Sequence, residues 1–200
     1  FHLAPIDEPQ HLKGREKQIA QIQRNLDTPG RQIFIFGDRG VGKTSLAKTA
    51  AYSMPGIRLD PVYVACDREG SFFQMAAAMI DELAGRMDQT SESKDATKAS
   101  ILLKVLGYEK TSEVKRIYPD FNSLSQFVQA LKAITEDQER PPLVIIDELE
   151  RFESTHGRGL MADFVKRVSD ERINVKLIMC GIAASISGLI GDHPSSERSF

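Results

Sequence analysis

Apolar residues recur along this chain at two periods. Ile19, Ile22 and Leu26 fall on one helical face. They predict a first helix that follows Gly14-Arg15-Glu16 and is ended by Thr28-Pro29-Gly30. A short apolar run at about residues 32–36 predicts strand one. A helix-forming stretch then runs to Ser53, where Met54-Pro55-Gly56 breaks it. Strand two is expected at about 61–66. Ser71 is placed to cap a helix burying Phe72, Ala76, Met79, Ile80 and Leu83. Phe72 and Phe73 together suggest base stacking, but Phe72 is in phase with Ala76 and Ile80 and reads as core. Residues 88–98 are polar and rich in Ser and Thr, and read as the start of a mobile insertion over about 88–120. A short amphipathic helix near 99–106 lies inside it, and 113–118 is ambiguous.

Asn122 or Ser123 caps a further helix carrying Leu124, Phe127, Val128, Leu131 and Ile134. Pro141-Pro142 stops it. Leu143-Val144-Ile145-Ile146 is a continuous apolar run, the pattern of a strand buried on both faces. Another helix presents Leu160, Met161, Phe164, Val165 and Val168, strand four is expected at 175–180, and a last short helix at 183–190. Alternating strands and helices predict a parallel sheet covered on both faces, with right-handed crossovers.

Chemistry concentrates at two strand ends. Strand one runs into Gly37-Asp38-Arg39-Gly40-Val41-Gly42-Lys43-Thr44-Ser45, the pattern G-x-x-x-x-G-K-T. Its glycines let successive backbone N–H groups turn toward phosphate oxygens, and the helix beginning at Lys43 adds its positive dipole end. Lys43 is expected to reach β- and γ-phosphates, and the Thr44 hydroxyl to ligate Mg²⁺. Asp38 and Arg39 contribute backbone, with solvated side chains. Strand three ends in Asp147-Glu148. Asp147 is expected to hold the Mg²⁺ through its water shell, and Glu148 to polarise the attacking water. Glu150, Arg151, Glu153, His156 and Arg158 follow, and read as a charged loop.

Composition adds limits. The 200 residues suit one α/β domain, and 41% hydrophobic with 27% charged residues is ordinary globular usage. A net charge of −2 supplies no overall basic field for nucleic acid. No apolar run approaches a membrane span, and the N-terminus lacks a signal-peptide layout, so a cytoplasmic protein is expected. Cys66 and Cys180 read as reduced core residues. Four scattered histidines give no zinc spacing.

With these motifs in hand, the chain resembles the AAA+ ATPases, and most of all the branch shared by origin-recognition initiators and STAND-like signalling ATPases. Three features carry the resemblance. Leu12-Lys13-Gly14-Arg15-Glu16 is similar to the element leading into the adenine pocket, the phosphate loop leads on to an Asp-Glu strand, and strand four follows about thirty residues later. The resemblance implies a P-loop NTPase three-layer sandwich with strand order 1-4-3-2, its fifth strand and helical lid expected after residue 200. In that order strand three separates Cys66 from Cys180, beyond disulfide reach. It also implies ATP with Mg²⁺, Arg15 either at the nucleotide or at the sheet edge, and a polar sensor after strand four. The run Cys180-Gly181-Ile182-Ala183-Ala184-Ser185 offers only Ser185 as sensor. Arg198 occupies the region where relatives place an arginine finger.

Three functions stay open at this point. One is an ATP-binding and ATP-hydrolysing module that assembles with copies of itself or a protein client. The second is a STAND-like switch that rarely hydrolyses. The third is a DNA-associated ATPase, which needs a basic lining; Lys94, Lys98, Lys104, Lys110, Lys115 and Arg116 are interrupted by acidic residues and read equally well as solvated surface. Adenine over guanine rests on the resemblance, since no Asn-Lys-x-Asp motif occurs.

Overall fold

The computed structural model describes residues 14–55, 60–68, 70–90, 121–152 and 154–182. The expected helices near 99–106 and 183–190 and the segment 113–118 lie outside these residues. Among these residues ten elements follow one another. Helix α1 is Glu16–Asp27, strand β1 Ile33–Phe36, helix α2 Lys43–Tyr52 and strand β2 Val62–Ala65. Helix α3 is Phe72–Thr90, helix α4 Leu124–Thr135 and strand β3 Leu143–Asp147. A single 3₁₀ turn, Leu149–Arg151, precedes helix α5, Thr155–Asp170, and strand β4, Lys176–Gly181.

The four strands are parallel in the order β1-β4-β3-β2. Register aligns Phe36 with Gly181 and Ala65 with Asp147, so all four C-terminal strand ends lie along one border of the sheet. Gln32 stops short of β1, but its buried side-chain oxygen accepts from Leu177 N–H at 2.8 Å and lengthens the β1–β4 pairing.

Alternation along the strands builds two cores. Ile33, Ile35, Leu143, Ile145, Ile178 and Cys180 face α1 and α2. There Ala47, Ala50 and Ala51 are fully buried, and their small side chains let α2 lie close on the sheet. Val144, Ile146, Leu177 and Met179 face α3, α4 and α5. Phe72, Phe127 and Phe164 meet in that second core, with centroids 4.9–6.2 Å apart. Each fully buried ring contributes up to about 3 kcal/mol. All five residues of β3 are buried, as its unbroken apolar run requires.

Caps fix the helix ends. The Ser71 hydroxyl accepts from Gln74 N–H while the Gln74 side chain accepts from Ser71 N–H, a reciprocal box at the start of α3. Ser123 and Ser154 cap α4 and α5. At the start of β4, Asn174 donates to the Thr135 and Gln138 carbonyls behind α4, and Lys176 donates to the Leu26 carbonyl at the end of α1. Helix α3 reaches Thr90, so the first residues of the expected polar insertion are helical.

Candidate functional site

The loop between β1 and α2 sits at the C-terminal border of the sheet. Gly40 and Gly42 have φ of 80° and 82°, a left-handed conformation that a Cβ would strain. Gly42 is also the N-cap of α2, so the helix opens directly from the turn. Val41, Asp38 and Arg39 are exposed. Lys43 Nζ donates to the Gly37 and Asp38 carbonyls at 3.0 and 2.9 Å, and spans its own loop.

The two predicted strand ends meet here. Thr44 Oγ1 donates to Asp147 Oδ2 at 2.6 Å across 103 residues of sequence. Asp147 is 3% exposed, and its carboxylate takes two more donors. Tyr63 Oη donates to Oδ2 at 3.0 Å, and the Glu148 N–H donates to Oδ1 at 2.8 Å. Burial and the neighbouring Asp147 carboxylate both push the Tyr63 phenol up, so its proton stays in place as a donor.

Glu148, expected to polarise the attacking water, follows directly on Asp147 at the end of β3. Its backbone is left-handed, φ 59° and ψ 41°, a conformation that costs a non-glycine residue about 1 kcal/mol or more. Arg151 Nη2 lies 2.9 Å from both carboxylate oxygens. The charged loop expected here is therefore a 3₁₀ turn pinned by buried Leu149 and Phe152, with Arg151 turned back onto Glu148. A Glu150 carboxylate oxygen is buried there without a hydrogen-bond partner. Arg158 donates to the Phe152 carbonyl and holds the start of α5 against the turn.

Arg15 also meets the loop. Its Nη2 donates to the Val41 carbonyl at 2.6 Å. The Glu16 carboxylate accepts from Gly14 N–H at 3.0 Å, and bonds to its own N–H and to that of Gly14 hold its carboxyl below the usual range. Cys66 and Cys180 are buried and free, on strands separated by β3. Burial pushes the Cys66 thiol up to about 12, and Cys180 higher still. Ser185 and Arg198 lie outside the described residues. So do Glu153 and the basic residues from Lys94 to Arg116.

Sequence reasoning missed Tyr63 and Arg151. The Glu-x-x-Arg spacing was the available signal for the second, since residues three apart meet on a helical turn. Nothing local announced the first, because its partner is 84 residues away.

The site has the donors that a magnesium–nucleotide complex requires. A hydroxyl and a carboxylate, both hard oxygen ligands, meet at a helix N-terminus beside a glycine turn. Among the described residues no group of three or more His, Cys, Asp or Glu could hold a metal alone. Mg²⁺ takes one or two protein oxygens and completes its shell from phosphates and water, and Thr44 and Asp147 offer that many. No helix among the described residues is long and apolar enough to cross a membrane.

Loop, strand order and carboxylate strand together define a P-loop NTPase fold. The AAA ATPase domain model matches residues 11–178, and the chain belongs to that nucleotide-binding family. Two solved structures share the fold. The Walker-type ATPase paby2304 of Pyrococcus abyssi superimposes with a TM-score of 0.55 at 19% identity, over 98% of this chain and 51% of that one. The ORC1 protein of Aeropyrum pernix, solved in complex with DNA, gives 0.56 at 17% identity, over 94% and 43%. The chain thus spans about half the length of these structures or less. No curated protein matches it.

Proposed function

We propose that this domain binds ATP with Mg²⁺ and hydrolyses it, and that turnover drives assembly or conformational switching of a larger protein. The observation that carries this reading is the Thr44–Asp147 contact, which joins the phosphate loop to the carboxylate strand. Thr44 gives its proton to Asp147, and its oxygen lone pairs are left for a cation. Lys43 exchanges the Gly37 and Asp38 carbonyls for phosphate oxygens when nucleotide enters the loop. Bound magnesium neutralises charge on the phosphates. Glu148 accepts a proton from the attacking water. Arg15 braces the loop through the Val41 carbonyl and carries a cation to its rim.

A second reading, a switch that binds ATP and rarely hydrolyses it, is favoured by the Glu148–Arg151 pair. While Arg151 occupies both carboxylate oxygens, Glu148 is a poor base. Turnover of the parent protein beside Glu148→Gln, with and without DNA, separates the readings. The substitution should preserve ATP binding and lower hydrolysis by about two orders of magnitude or more. Equal, slow turnover in both proteins would establish the switch instead. A DNA-stimulated rate would bring this domain toward the DNA-bound neighbour in function as well as fold.

A further inference from the structure

Tyr63 stands on the edge strand β2, paired in register with Ile145 on β3. Its ring packs against the core formed with α1 and α2. Two residues of α2, one helical turn apart, bear on it, one at its ring and one at its acceptor. Lys48 Nζ lies 4.6 Å from the ring centroid. Thr44 shares the phenol's acceptor, Asp147 Oδ2.

A carboxylate offers about four acceptor sites, two on each oxygen. In Asp147 three are filled. Thr44 and Tyr63 occupy both sites of Oδ2, and the Glu148 N–H takes one on Oδ1. Among the described residues nothing fills the remaining site, on Oδ1. Without the phenol a second site would open on the other oxygen. The carboxylate would then have two ways to meet a hydrated cation and only one side-chain anchor. A half-buried phenol usually finds some partner, and packing alone would be served by Phe. What distinguishes this phenol is that it shares one carboxylate oxygen with the phosphate-loop threonine.

We propose that Tyr63 is a positioning residue for the magnesium site: its phenol fixes the Asp147 carboxylate so that a single oxygen faces the cation's water shell. This rests on the Mg²⁺–nucleotide reading above. Outer partners of this kind typically change metal affinity by about 10–100-fold when removed.

The test is Tyr63→Phe, which removes one oxygen and keeps the ring. Calorimetry with ADP is run without Mg²⁺ and across a Mg²⁺ series, in parent and variant. The variant should need about tenfold more Mg²⁺ for half-maximal enhancement of binding, while its Mg²⁺-free ADP affinity stays within about twofold. An unmoved Mg²⁺ midpoint overturns the role, and so does equal weakening with and without Mg²⁺, which is the mark of a packing effect. In an Asp147→Asn background, Tyr63→Phe should have no further effect on ADP binding at any Mg²⁺ concentration. An undiminished further loss there would place the phenol's action elsewhere. A parent with no Mg²⁺-dependent binding refutes the underlying reading and this role with it. A Mg²⁺-dependent parent with an unmoved variant refutes the role alone.

Discussion

Replacing Asp147 with Asn should separate stability from ligand binding. The side chain is buried and accepts three hydrogen bonds, from Thr44, Tyr63 and the Glu148 N–H. A hydrogen bond to a charged group contributes about 1.5–3 kcal/mol, against about 0.5–1.5 for a neutral one. Making all three neutral therefore costs about 3–4.5 kcal/mol. Removing a buried carboxylate recovers a desolvation penalty of several kcal/mol. Both hydroxyls can turn to donate or accept, so an amide satisfies them. The two effects nearly cancel, and the ligand-free variant should melt within a few degrees of the parent.

Binding should behave differently. Mg²⁺–ATP at a hundred times its dissociation constant stabilises a folded protein by about 2.7 kcal/mol. At about 2–4 °C per kcal/mol for a domain of this size, the parent should gain about 5–11 °C. Asp147→Asn should lose the Mg²⁺-dependent part of that gain. Thermal melts with ATP, with and without Mg²⁺, read both quantities at once. A variant that keeps the full Mg²⁺-dependent shift would remove Asp147 from the metal site. A ligand-free variant destabilised by more than about 4 kcal/mol would show that the carboxylate is chiefly structural.

Both cysteine thiols are buried, and burial pushes them up, Cys66 to about 12, so they stay protonated. At pH 8 neither should react with a thiol reagent until the protein unfolds, and rapid labelling of the native protein would contradict their burial. The Lys132 and Arg167 bonds hold the Glu171 carboxyl below its ordinary value of 4.5. Its stabilising effect is therefore fully present above that value and is lost as pH falls through the lower folded-state pKa. Glu171→Gln should cost about 1 kcal/mol or less at pH 7 and nothing at pH 2, measured by urea unfolding, and a loss that persists in acid would argue against the ion pairs.

The central sheet was legible because its cues are local. The apolar run Leu143–Ile146 with Asp147 at its end has the bounds that the structure gives β3, the proline pair 141–142 precedes it, and Pro61 and Gly181 mark ends of its neighbours. The strand order came with the family resemblance, since no strand carries its own neighbour in its pattern. The phosphate loop, Thr44 and Asp147 were readable as chemistry, and the parallel sheet brings them together. Tyr63 was not readable. The alternation of Val62–Ala65 predicts a strand, but which carboxylate its phenol meets depends on the stacking of β2, β3 and α2. The left-handed backbone at Glu148 was hidden for a related reason. Buried Leu149 and Phe152 set the turn, and tertiary packing outweighs the local preference of Glu.

The most direct test of the account is ATP binding measured by calorimetry in the presence of Mg²⁺, for the parent protein and for Lys43→Ala. Lys43 is bonded only to its own loop's carbonyls among the described residues, so its loss should leave the fold intact. The parent should bind ATP saturably with one nucleotide per chain. The variant should melt near the parent and show no measurable binding over the same concentrations. An unchanged affinity in the folded variant, or a parent that binds no ATP, would contradict the claim that this loop is a nucleotide site.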